Sequence, residues 1–260
     1  EEEDNTVVIS PTHCPGGCLD VTITDDTEIT EPCDELKKLG QNAEVSGALY
    51  QTQIYSVSSN IEKGYSIRKN IALATKAIPY PQNAGTGTSI RVPFAANQYG
   101  NVHCHPIGDT YQMFSGTDIF GLYTLSQTYL TSFDPTATTD LFVNIITTPG
   151  YDYAIKIDNP TKLATIAQYF TNPDDAEDFD EMLRDFIASK CRPDRPNPST
   201  PEKVFLDFVT GAYDFHTGIG NFDFGISLYE RPNNERTTTN NNWTKIELDE
   251  NGNRKEIPCN

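Results

Sequence analysis

The spacing of apolar and polar residues along the chain predicts short strands interleaved with helices. Apolar residues that alternate with polar ones, or form short continuous runs, indicate strands, whereas apolar residues three and four positions apart indicate helices. The predicted strands are Leu19–Thr24, Glu44–Tyr55, Tyr65–Ala74, Val102–His105, Leu141–Thr147, Tyr151–Ile157, Phe222–Tyr229, Trp243–Leu248 and Arg254–Ile257. The predicted helices are Glu35–Leu39, Ser115–Thr131, Thr161–Phe170, Ala176–Lys190 and Pro201–Ala212. This order predicts an α+β fold.

Two dipeptides predict tight turns between neighbouring strands. Pro149-Gly150 separates Leu141–Thr147 from Tyr151–Ile157, and Asn251-Gly252 separates the last two predicted strands. Both dipeptides are typical of turns. We therefore expect two antiparallel hairpins at these places.

The net charge limits the classes of partner. The 260 residues include 19 Lys and Arg against 37 Asp and Glu, which gives a formal net charge of −18. So acidic a chain repels the phosphates of nucleic acids and of anionic membranes. No segment approaches the roughly 20 apolar residues that a membrane-spanning helix needs. We expect no nucleic-acid partner and no membrane span.

The cysteines favour an oxidising compartment. Six occur, at positions 14, 18, 33, 104, 191 and 259, and all except Cys104 lie in polar segments typical of loops. We expect one or two disulfides, whose connectivity the sequence leaves open. This predicts an exported protein, whether periplasmic, cell-surface or secreted. Because the chain begins Glu1-Glu2-Glu3 and not with methionine, we also expect that any signal peptide has been removed.

Two of the four histidines lie in one tripeptide, and an aspartate follows them at the start of a predicted helix. His103 and His105 are two positions apart on a predicted strand, so both side chains point to one face and can bind one ion. Cys104 points to the other face, where we expect a buried, inert thiol. Ser115 opens the next helix and Asp118 lies in its first turn. A carboxylate there adds a third ligand and leaves one zinc position for water, as in catalytic sites.

A water activated in this way needs a general base that does not bind the metal. Glu44, on the predicted strand Glu44–Tyr55, is the candidate that the sequence offers.

These residues, taken in order, resemble the motif of the JAMM (MPN+) zinc metalloproteases, and the bacterial members in particular: Glu44, His103-x-His105-Pro106 and Ser115-x-x-Asp118. The resemblance implies that His103, His105 and Asp118 bind Zn²⁺ and that Glu44 takes a proton from the zinc-bound water. It implies that Ser115 helps to hold the oxyanion of the tetrahedral intermediate. It further implies a curved mixed sheet flanked by helices and a peptidase or isopeptidase acting on a protein or peptide substrate.

The resemblance covers residues 44–157 and divides the chain into three parts. Residues 1–40 would be an extended leader packing on the domain, 41–160 the metallohydrolase core, and 161–260 a helical and β-hairpin extension of the same domain. Eight residues separate Pro106 from Ser115, a longer spacing than the common form of the motif. The longer loop contains Asp109, a candidate additional ligand or hydrogen-bond acceptor.

Other interpretations stay open at this point. Ser115-x-x-Asp118 also fits a helix capping box, which needs no metal. His13-Cys14 and Cys18 fit a small disulfide loop better than a metal knuckle. The alternative functions are a non-catalytic MPN-like binding or scaffold module, an amidohydrolase-type barrel that would recruit His13 or His216, and an exported surface-binding protein without metal. The oligomeric state is not predicted.

Overall fold

The computed structural model describes residues 32–80, 85–86, 89–90, 94–106, 112–168, 173–191, 199–211, 223–233 and 242–259. The helices in these ranges are α1 (Pro32–Gln41), α2 (Ala43–Ser58), α3 (Gly116–Ser132), α4 (Pro160–Ala167), α5 (Pro173–Cys191) and α6 (Pro201–Val209). The strands are β1 (Gly64–Lys69), β2 (Thr75–Pro79), β3 (Gly85–Thr86), β4 (Ser89–Ile90), β5 (Gln98–Cys104), β6 (Val143–Thr147), β7 (Tyr151–Ile157), β8 (Ile226–Pro232), β9 (Thr244–Leu248) and β10 (Arg254–Pro258).

Eight of these strands form one mixed sheet in the order β10-β9-β8-β7-β6-β5-β1-β2, and β3 pairs with β4 separately. Within the eight-stranded sheet, β5 and β6 are parallel, with Cys104 opposite Thr147, and the other neighbours are antiparallel. Parallel neighbours require a crossover connection, which α3 provides. The carboxyl end of β5 and the amino end of α3 therefore lie at the same edge of the sheet. The predicted mixture of helices and a mixed sheet is confirmed.

Helix α3 packs on the sheet through side chains at helical spacing. Ile119, Leu122, Leu125 and Tyr129 are all buried, and α3 contacts both β5 and β6. Each such side chain stabilises the fold by about 1.5–3 kcal/mol relative to an exposed position. The helix predicted over Ser115–Thr131 is confirmed, and its packing fixes the first turn against the end of β5.

The strand predicted over Glu44–Tyr55 is wrong, because these residues belong to α2. Asn42 caps this helix by accepting hydrogen bonds from the amides of Glu44 and Val45. The buried positions of α2 recur at helical intervals, as listed here: Val45, Ala48, Leu49, Thr52 and Ser56. Exposed Tyr50 and Ile54 fill the gaps between them. With their neighbours they form the apolar clusters Ala48-Leu49-Tyr50 and Ile54-Tyr55, which are typical of a strand and mask the helical spacing of the buried positions.

The next predicted strand, Tyr65–Ala74, is too long. Asn70 Oδ1 accepts hydrogen bonds from the amides of Ala72 and Ala74, which ends β1 in a turn and starts β2, a strand that the sequence did not predict. The two hairpins are confirmed: β6 pairs with β7, and β9 with β10. Gly252 has φ +72° in the second turn, a conformation that glycine adopts without strain. The predicted strand Leu19–Thr24 lies outside the described residues.

The carboxyl-terminal part of the chain extends the same sheet. Strands β8, β9 and β10 follow β7 in the strand order, and a disulfide joins Cys33 in α1 to Cys259 just after β10. This disulfide agrees with the expectation of one or two, although Cys33 lies in a helix and not in a loop. Cys14 and Cys18 lie outside the described residues. In the described ranges, none of the helices combines the length and apolar character needed to cross a bilayer.

Candidate metal centre

Three side chains predicted to bind metal converge where β5 ends and α3 begins. His103 belongs to β5, His105 follows it directly, and Asp118 lies in the first turn of α3. The two Nε2 atoms are 3.2 Å apart, and His103 Nε2 lies 3.3 Å from Asp118 Oδ1. One ligand atom from each residue lies within 4.8 Å of the other two. The structure therefore brings together the three residues that the sequence singled out.

These separations fit a single metal ion. Ligands at zinc–nitrogen distances of about 2.0–2.1 Å in a tetrahedron are separated by about 3.3 Å. A hydrogen bond between the two Nε2 atoms would use the proton of one ring and the lone pair of the other. A cation instead accepts a lone pair from each imidazole and from the carboxylate, so it engages all three side chains. The donor set of two imidazole nitrogens and one carboxylate oxygen could hold a divalent transition metal.

Burial keeps His103 in its metal-binding form. Both histidines are buried, and this burial lowers the pKa of His103 to about 4, against the opposing effect of the Asp118 carboxylate. The imidazole is therefore neutral at physiological pH, and a neutral imidazole is the species that binds metal. His103 Nδ1 has no hydrogen-bond partner among the described residues, so the polar contacts of its ring there are made through Nε2, to His105 and Asp118.

Ser115 orients Asp118 through a capping box. The Ser115 amide and hydroxyl donate to Asp118 Oδ2 at 2.8 and 2.7 Å, and the Asp118 amide donates back to Ser115 Oγ at 3.1 Å. The capping-box interpretation is confirmed. Because Oδ2 is held by Ser115, Oδ1 is the oxygen left to face His103. The same hydrogen bonds that begin the helix thus aim the carboxylate.

The structure does not bring Glu44 to this cluster. Its carboxylate forms an ion pair with Lys76 Nζ and accepts a hydrogen bond from the Ala77 amide at 3.2 Å. Its pKa is lowered, chiefly by the hydrogen bond from Lys76. Glu44 is exposed on α2 and bound to the edge strand β2.

The pairing of the strands shows how far this contact lies from the histidines. Ala77 is opposite Ile67, and Ile67 is opposite Gly100, three residues before His103. At about 3.3 Å per residue and 4.8 Å per strand, the backbone positions of Ala77 and His103 are about 14 Å apart.

A different glutamate lies beside the cluster. Glu62 Oε1 is 3.8 Å from His105 Nε2, and the Glu62 side chain is only 8 % exposed. The sequence interpretation missed this residue. The signal that could have found it is its position directly before the strand that pairs with β5, in Glu62-Lys63-Gly64. Gly64 is opposite His103, so the connection that carries Glu62 arrives at the histidines.

Cys104 has the role predicted for it. It is fully buried, its Sγ accepts a hydrogen bond from the Lys63 amide at 3.3 Å, and it is not in the metal-binding group. Burial raises the pKa of its thiol to about 11, which disfavours the reactive thiolate. Asp109, His13 and His216 lie outside the described residues.

Comparisons of the chain with protein-family models, with curated proteins and with solved structures find no match. A functional proposal therefore rests on the chemistry of His103, His105 and Asp118 and of the adjacent Glu62.

Proposed function

We propose that this protein is a zinc-dependent hydrolase of the JAMM type, with an MPN-like core, acting as a peptidase or isopeptidase on a protein or peptide substrate. The observation that carries the proposal is the convergence of His103 Nε2, His105 Nε2 and Asp118 Oδ1, with the buried Glu62 carboxylate 3.8 Å from His105. Three ligands with an adjacent carboxylate that is not among them are the donor set that water activation requires.

Zn²⁺ bound by His103, His105 and Asp118 would polarise the scissile carbonyl and lower the pKa of a bound water toward about 7. Glu62 would accept the proton of the attacking water and deliver it to the leaving nitrogen. We assign this role to Glu62 in place of Glu44, since Glu44 is engaged by Lys76 and Ala77 on β2. Ser115 would act mainly by holding Asp118, because its amide and hydroxyl both donate to that carboxylate.

Export stays part of the proposal. The Cys33–Cys259 disulfide supports it, because structural disulfides persist in oxidising compartments and are rare in the cytosol.

Metal binding and turnover test the proposal separately. Chain stripped with a chelator and then offered Zn²⁺ should retain one ion per molecule, measured by elemental analysis after gel filtration, and His103→Ala and Asp118→Ala should retain none. Glu62→Gln should keep the metal and lose the release of new amines from a peptide library. Glu44→Gln is the matched control and should keep both properties.

Two results would contradict parts of this assignment. A wild-type chain that stays metal-free after zinc is offered would exclude the metal centre. Full turnover by Glu62→Gln, with loss in Glu44→Gln, would return the role of base to Glu44.

The burial of the cluster favours a second candidate, a non-catalytic MPN-like binding or scaffold module. His103 and His105 are only 2 % and 3 % exposed, and a closed site can retain its ligands for stability alone. For such a module, zinc should raise the unfolding temperature while the loaded wild-type chain releases no amines from the library.

A further inference from the structure

Helix α5, which belongs to the carboxyl-terminal extension, packs directly on the first turn of α3. A Cβ atom at Gly116 would lie 2.5 Å from Phe179 Cδ1 and 2.8 Å from Asp180 Oδ1. Such distances are too short for any other residue, so glycine at this position allows the two helices to approach this closely. The Thr117 amide donates a hydrogen bond to Asp180 Oδ1 at 3.0 Å.

This hydrogen bond satisfies a backbone donor next to a proposed metal ligand. The first amides of a helix have no partner within the helix, and Thr117 directly precedes Asp118. From the sheet, Asn144 Nδ2 of β6 donates to the backbone carbonyl of Asp118 at 3.1 Å. The turn that presents Asp118 Oδ1 to His103 is thus held from the extension by Asp180 and from the sheet by Asn144.

We propose that Asp180 is a positioning residue of the metal centre, and that residues outside the 41–160 core therefore complete the site. The inference rests on the metal centre proposed above. Asp180 does not belong to the metal-binding group; it acts by fixing the backbone of the turn on which Asp118 is carried. Residues that hydrogen-bond to metal ligands typically change metal affinity 10- to 100-fold when they are removed, and we expect the same range for Asp180, which hydrogen-bonds to the residue next to the ligand.

Asp180 could also act by charge, because a second carboxylate near Asp118 attracts a cation. Asparagine separates the two effects, since its side-chain oxygen still accepts the Thr117 hydrogen bond but carries no charge. If Asp180 positions the turn, Asp180→Asn retains most of the affinity. If it acts by charge, Asp180→Asn loses as much as Asp180→Ala.

The experiment measures the zinc dissociation constant of the full chain by competition with a chromogenic chelator. Asp180→Ala should raise the constant 10- to 100-fold, whereas Asp180→Asn should remain within about threefold of wild type. The matched control is Asp185→Ala, which removes an exposed aspartate from the same helix and should leave the constant unchanged. The unfolding temperature of each metal-free variant shows whether the fold is intact.

Each outcome bears on one claim. A wild-type chain that binds no zinc refutes the metal centre itself. If the wild type binds zinc and Asp180→Ala has the same zinc dissociation constant, only the role of Asp180 is refuted. This holds even if the variant unfolds at a lower temperature. If Asp180→Asn binds zinc as weakly as Asp180→Ala, Asp180 acts through its charge and the positioning role is refuted. If Asp180→Ala fails to fold, Gly116→Ala is the second variant. Its added methyl group would displace the Asp180 carboxylate and should also raise the zinc dissociation constant.

Discussion

Gly64 lies directly opposite His103 across the β1–β5 pair. A side chain at Gly64 would meet the Val102 carbonyl oxygen at 2.4 Å, the Tyr80 ring at 2.7 Å and His103 Cβ at 2.8 Å. The backbone of β1 therefore approaches the histidine strand more closely than any residue other than glycine allows. This register places Glu62, two residues earlier, at the cluster.

Gly64→Ala should disrupt the proposed metal centre and the fold together. The nearest obstacle is a backbone oxygen, which cannot rotate away, so β1 must shift relative to His103. We expect a loss of about 1–3 kcal/mol in the free energy of unfolding, as for overpacked interiors, and weaker zinc binding. Urea denaturation and chelator competition measure the two effects.

The control for this variant is Gly47→Ala in α2, where an added Cβ would have no neighbour within 4 Å. Alanine inside a helix is favoured over glycine by about 0.5–1 kcal/mol, so this variant should be stabilised and should bind zinc normally. A Gly64→Ala chain that is as stable as wild type would contradict the close approach of β1 and β5.

The contrast between His103 and Glu44 shows what the sequence could predict. Local patterns predict where four side chains lie. His103 and His105 lie on one face of a strand, and Ser115 and Asp118 lie at the start of a helix. Each signal spans only a few residues, so these clustered side chains could be predicted from sequence. The structure then places these residues as the local patterns required.

The choice of glutamate depends on long-range pairing that local patterns do not carry. Glu62 reaches the histidines because β1 pairs with β5, about 40 residues away in the chain. The outer apolar residues Tyr50 and Ile54 give α2 the pattern of a strand, so the sequence predicts Glu44 on a strand and not on a helix. For the same reason, the joining of β8–β10 to the central sheet could not be predicted, since edge pairing is decided by tertiary packing.

Removing the Cys33–Cys259 disulfide should destabilise the whole chain without altering zinc binding at the proposed centre. The bond closes a loop with a sequence separation of 226 residues and ties α1 to the end of the sheet. The chain-entropy model gives a stabilisation of about 5 kcal/mol for a loop this long. The double variant Cys33→Ala/Cys259→Ala should therefore unfold at lower urea concentration, while its zinc dissociation constant stays at the wild-type value.

Cys191→Ala provides the matched control, because Cys191 is a free, partly buried thiol. It should shift the urea midpoint far less than the double variant. Reducing agent should destabilise wild type and Cys191→Ala alike and should have a smaller effect on the double variant. A double variant as stable as wild type would show that the bond contributes nothing to folding.

Lys156 makes a contribution to the free energy of unfolding that depends on pH. It is almost fully buried on β7, where its ammonium donates to the Asp140 carbonyl. Burial lowers the pKa of Lys156 from 10.5 to about 8, although Glu35 and Asp140 oppose the shift. Because the folded-state pKa is the lower one, the unfolded chain binds more protons between pH 8 and 10.5. Stability from this group therefore rises with pH across that window.

Lys156→Met removes this pH-dependent contribution and keeps much of the side-chain volume. The variant should gain stability relative to wild type at pH 7, and the gain should shrink by about 3 kcal/mol as the pH rises to 10.5, since each pKa unit corresponds to 1.36 kcal/mol. The difference between the two unfolding free energies in urea, measured at several pH values, isolates Lys156 from groups that titrate in both proteins. Lys255→Met, which removes an exposed lysine on β10, is the matched control. A difference for Lys156→Met that does not change with pH would mean that burial does not lower the pKa of this amine.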